Sequence, residues 1–75
     1  MEHIAARVGA SVLAALEDAD VSLRRAADES GIALVTLSRK CNGLGTRTFD
    51  VLELYRLAKV IGRPVSELLP EDLRA

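Results

Sequence analysis

The chain has 75 residues with 10 Lys and Arg against 11 Asp and Glu, a formal net charge of −1, and is 49% apolar and 28% charged. That length allows one small domain and excludes a catalytic unit joined to a separate sensor, while the apolar content excludes disorder. One cysteine rules out an internal disulfide, and Cys41 with His3 cannot supply the four ligands of a structural zinc site.

No apolar run approaches the roughly 18 residues of a membrane span, and no signal-peptide pattern is present. The expected location is a reducing cytoplasm. The apolar residues are mostly Leu, Ala and Val, with one Phe, one Tyr and no Trp, and only 5 Gly and 2 Pro interrupt them. This composition favours an all-α build. Charge is unevenly spread. Residues 1–23 hold Arg7 against Glu2, Glu17, Asp18 and Asp20, a net of −3; residues 24–63 carry +4; residues 64–75 hold Arg74 against Glu67, Glu71 and Asp72, a net of −2. A basic middle between acidic ends can form a local anion site in spite of the total.

In chain order, Ile4, Val8, Val12 and Leu16 recur every fourth residue with Leu13 alongside, which predicts a one-faced helix ending near Asp18–Asp20 and slightly weakened by Gly9. Ser22 can cap a second helix from Leu23 to about Ser30, and Gly31 can end it at positive φ. A third helix is expected from near Ala33 to about Cys41, with no side-chain cap at its start. Gly43-Leu44-Gly45 then breaks the chain and is not a nucleotide motif.

Asp50 and Glu53 form an acidic variant of the capping box at the start of a fourth helix, with Phe49 and Leu54 placed for a hydrophobic staple. Val51, Leu54, Tyr55, Ala58 and Ile61 are expected to share its buried face. Gly62 should stop it. Pro64 suits the first turn of a short fifth helix, Val65 to Leu69, which Pro70 ends. The tail, residues 71–75, is expected to fray, with Leu73 available to dock. The expected core includes Leu16, Ala27, Ile32, Leu37, Leu54, Ala58 and Ile61. The whole chain, 1–75, reads as one domain without repeat or linker.

Two short helices joined through Gly31 have the size of a helix-turn-helix, at about residues 22–42. The stretch from Ser22 to Gly43 resembles the Cro/repressor-type (XRE-like) helix-turn-helix family. Ala27 matches the small residue where the two helices touch, Gly31 the turn glycine, and Ile32 the apolar residue after it. Thr36-Leu37-Ser38-Arg39 matches the second-helix signature, and Asn42-Gly43 its end. The resemblance covers about residues 8–69. It implies a five-helix, lambda-repressor-like domain that places its third helix in the DNA major groove. It further implies a dimeric, phage-type or Cro-like transcription regulator, working without a cofactor at the nucleoid of a prokaryotic or phage-infected cell.

The residues of the third helix agree with this. Leu37 and Cys41 form an apolar edge, whereas Arg39, Val35, Asn42 and Ser38 fall on the other side at about 100° per residue. A cation, an amide, a hydroxyl and a methyl-bearing chain suit base edges and phosphates. The expected base-reading residues are Val35, Ser38, Arg39, Leu34 and Thr36. The expected phosphate contacts are Arg24, Arg25, Asn42, Thr46, Arg47 and Lys40. Arg24 and Arg25 stand at a helix start, where a cation is disfavoured unless a phosphate is near.

The family usually has Gln or another polar residue where this chain has Leu23 and Leu34. Lys40 and Cys41 look exchanged relative to the family, so that Cys41 packs and Lys40 faces out. Leu44, Leu52, Val65, Leu69 and Leu73 are candidates for a dimer seam, formed in solution or only on a near-palindromic operator. The competing class is a protein-interaction module on the same fold, such as an antitoxin or a polymerase-binding regulator, which the acidic ends favour. An enzyme has little support: there is no Ser/His/Asp set, no paired carboxylates in an apolar setting and no phosphate loop.

Overall fold

The computed structural model describes residues 4–43 and 48–74. These form four α-helices, α1 (Ile4–Asp18), α2 (Leu23–Ser30), α3 (Leu34–Cys41) and α4 (Val51–Ile61), followed by two 3-10 turns, Val65–Leu68 and Glu71–Leu73. All regular structure in the described residues is helical. No helix among them is long and apolar enough to cross a membrane. His3, Leu44, Gly45, Thr46, Arg47 and Ala75 lie outside the described residues.

Helix boundaries follow local chemistry. Ser22 accepts the Arg25 N–H at 3.1 Å to start α2. Gly31 ends it at φ 79°, its N–H donating to the Ala27 carbonyl, a conformation that glycine adopts without a Cβ clash. Ala33 begins α3 with no side-chain hydrogen bond. At α4, Asp50 Oδ1 accepts the Glu53 N–H at 2.7 Å and Glu53 Oε1 accepts the Asp50 N–H at 3.0 Å, completing the capping box.

The expected fifth helix is absent in α-form. A 3-10 turn occupies residues 65–68, with Pro64 before it as its N-cap rather than within its first turn. Proline N-terminal to the turn and again at residue 70 leaves too few residues for stable i→i−4 pairing, and runs this short adopt 3-10 geometry. The tail is tied down by polar contacts, while Leu73, expected to dock, stays exposed. Glu71–Leu73 make a second turn, Arg7 pairs with Asp72, and Arg74 Nε donates to the Leu69 carbonyl at 3.1 Å.

The core joins all the helices. Val12 and Leu16 of α1, Leu37 of α3, Leu57 of α4 and Leu68 of the first 3-10 turn are its most deeply buried large side chains. Ala27, Ile32, Leu54 and Ala58 are buried with them, and Ile61 packs half-buried against the cluster. Within α4 the inward stripe is Leu54, Leu57 and Ala58. Val51 and Tyr55, expected on that stripe, are 81% and 51% exposed. Nearly every turn of α4 is apolar on two sides, so spacing alone admits more than one buried stripe.

α3 is held between α1 and α2, and α2 also packs on α4. Gly9 is buried at the α1–α3 crossing, where it lets the backbone of α1 approach the Lys40 and Cys41 carbonyls. Its value as a contact outweighs the helix-propensity cost expected from the sequence.

Candidate nucleic-acid interface

α3 turns Leu37 and Cys41 into the core, at 0% and 4% exposure. The outer side then presents Val35, 69% exposed, with Leu34 at the margin at 37%. Thr36 and Arg39 are exposed beside them, and Ser38 is half-buried. The guanidinium groups of Arg39 and Arg24 make no ion pair or hydrogen bond among the described residues. Leu34, Val35, Thr36 and Arg39 form a mixed apolar and cationic surface on α3, and Arg24 stands in the first turn of α2. Asn42, at the C-terminal end, is exposed and donates its Nδ2 to the Ser38 carbonyl at 2.7 Å. That bond uses one of the two N–H groups of the amide and leaves the second as a donor.

Two of the expected cationic phosphate contacts are paired with carboxylates of the protein itself. Arg25 Nε donates to Glu29 Oε2 at 2.6 Å, one turn along α2, and this carboxylate raises the guanidinium pKa. Both side chains remain about half exposed, so the pair is screened and exchangeable. Lys40 departs further from expectation. It does not face out: Nζ donates to Glu53 Oε1 at 2.6 Å, both side chains are 17% exposed, and the ammonium stands 5.8 Å from the Phe49 ring centroid. The apolar wall of Phe49 and the fixed carboxylate of the capping box draw it inward, a partner thirteen residues away that helix-face arithmetic on α3 alone does not reveal. Thr46 and Arg47, the remaining expected contacts, lie outside the described residues.

The dimer candidates separate in the same way. Leu52 and Leu73 are exposed, at 55% and 38%. Val65 and Leu69 are half-buried against the core, and Leu44 lies outside the described residues. Sequence reasoning missed Val51 and Tyr55, which extend the exposed apolar surface of α4 beside Leu52. Tyr55 also lines a shallow apolar groove with Ala58, Gly62, Pro64 and Val65, and Lys59 lies 5.4 Å from the Tyr55 ring centroid.

Cys41 is the only cysteine and is buried, which pushes its thiol pKa up to about 11. A thiol of that pKa is a poor nucleophile and ligand at neutral pH. No group of three or more His, Cys, Asp or Glu among the described residues is placed to hold a metal.

No protein-family model, curated protein or solved structure matches this chain.

Proposed function

We propose that this chain is a sequence-specific regulator that binds double-stranded DNA, with α2, Gly31 and α3 acting as a helix-turn-helix and α3 reading the major groove. The observation that carries this reading is the outer face of α3. An eight-residue helix buries Leu37 and Cys41 while presenting outward Val35, Thr36 and Arg39, which has no ion pair among the described residues. Arg39 supplies the fork that recognises guanine O6 and N7, and Val35 an apolar surface for a thymine methyl group. Arg24 and Asn42, the latter through its remaining amide N–H, are proposed as phosphate contacts, as are Thr46 and Arg47 from their residue types.

The regulator acts as a homodimer on a near-palindromic operator of the phage-repressor or Cro type, needs no cofactor, and works in the cytoplasm. Its seam is built on the exposed apolar surface of α4, Val51, Leu52 and Tyr55. That same surface favours a second reading, a protein-interaction module that uses α4 to bind an unrelated partner.

Selection of bound duplexes from random genomic fragments, followed by gel-shift titration across a salt series, tests the proposal. A recovered consensus and an affinity that falls steeply with salt support it. Absence of binding to any duplex, with α4-dependent protein association, favours the second reading.

A further inference from the structure

Lys40 and Glu53 join the C-terminal end of α3 to the N-terminal end of α4. We propose that they are positioning residues whose ion pair sets the rotation of α3 about its own axis and so aims Arg39 and Val35 at base edges; this rests on the DNA-binding reading above.

Four observations converge. Both side chains are largely shielded, at 17% exposure each, so the pair escapes most of the solvent screening that weakens surface pairs. The anchor is itself hydrogen-bonded in place: Glu53 Oε1, which accepts the Lys40 ammonium, also accepts the Asp50 N–H, and Asp50 Oδ1 in return accepts the Glu53 N–H. Phe49, buried at 6% exposure, backs the ammonium. Finally, α3 packs on α1 and α2, but among the described residues no side-chain hydrogen bond ties it to either helix. It is eight residues long and has no side-chain N-cap. Burial of Leu37 and Cys41 holds it to the core, but apolar contact is non-directional. A charge-assisted hydrogen bond to a fixed oxygen is directional.

The lever is long. Arg39 precedes Lys40 directly, and a rotation of α3 by about 20° would carry an extended guanidinium by roughly 2–3 Å, beyond the tolerance of a paired hydrogen bond. Losing the Lys40–Glu53 pair should therefore erode discrimination between DNA sequences. It should not remove a phosphate contact.

Glu53→Gln removes the charge of the pair while its amide oxygen can still accept the Asp50 N–H and keep the capping box, and it leaves Lys40 a neutral, weaker hydrogen bond. If Lys40 aims α3 through Glu53, Lys40→Met should reduce the ratio of affinities for the selected and scrambled duplexes about tenfold, and Glu53→Gln should reduce it by a smaller factor. The double variant should lose no more than Lys40→Met, and Lys40→Arg should retain most of the ratio. The dependence of affinity on salt should be unchanged in all four variants.

The proposal is overturned if Lys40→Met weakens both duplexes equally and lowers the salt slope by about one, as removal of a phosphate contact does. It is equally overturned if Glu53→Gln strengthens binding to both duplexes by releasing a lysine to the backbone. Hydrogen exchange of the free protein separates this proposal from the DNA reading. If the parent binds no duplex, faster exchange confined to α3 in both single variants still upholds the clamp, and unchanged exchange rejects it.

Discussion

Gly9 and Lys40 meet backbone to backbone: a β-carbon on Gly9 would stand 2.3 Å from the Lys40 carbonyl oxygen and 2.7 Å from that of Cys41. Those oxygens belong to the last turn of α3 and cannot swing aside as a flexible side chain would. Helix propensity favours Gly9→Ala by about 1 kcal/mol. The collision opposes it more strongly, and overpacking of this kind costs about 1–3 kcal/mol. Chemical denaturation should therefore show Gly9→Ala less stable than the parent. A gain in stability would mean that α1 and α3 do not touch here.

Leu37 is fully buried on the inner side of α3. Leu37→Ala should cost about 2–5 kcal/mol, the range for buried leucine truncations. Thermal or denaturant unfolding measures it, and an unchanged midpoint would contradict the assigned inner face.

Asp50→Ala removes the side-chain cap of α4 and should cost about 1 kcal/mol. The Asp50 backbone N–H still holds Glu53 Oε1, so Lys40 keeps its anchor and sequence preference should not change. A shifted preference in repeated duplex selection would show that Asp50 lies against the DNA.

The Asp50 cap was legible in the sequence because its partner is three residues away, as were the Ser22 cap and the Gly31 stop. The mixed outer face of α3 was legible for the same reason, since helical spacing relates its residues. What escaped was longer-range or degenerate. Lys40 finds Glu53 across thirteen residues and an intervening break, so neither residue signals the other locally. Gly9 reads as a helix-weakening residue until α3 is seen to lie against it. In α4 two apolar stripes compete, and only packing shows that Leu57 turns inward while Val51 and Tyr55 face out. The final helix was misjudged in kind, because two prolines so close together favour 3-10 turns.

Cys41 supplies a pH test. Burial raises its pKa from 9.0 to about 11. A raised folded-state value means that the protein favours the protonated thiol, so this contribution to stability is complete below pH 9 and is lost as pH climbs toward 11. Unfolding midpoints should decline across that window more in the parent than in Cys41→Ala. Thiol labelling at pH 8 should be slow in the native state and fast in denaturant. Rapid native labelling would place Cys41 outside the core.

Gel-shift titration of Arg39→Ala and Arg24→Ala on selected and scrambled duplexes, over a range of salt, decides whether α3 reads sequence through Arg39. Each good arginine–guanine pair discriminates by about 1–3 kcal/mol. Arg39→Ala should lose that much on the selected duplex and little on the scrambled one, so that specificity flattens. Arg24→Ala should weaken both alike and reduce the salt slope by about one. Equal losses on both duplexes for Arg39→Ala would contradict the account and reduce Arg39 to a phosphate contact.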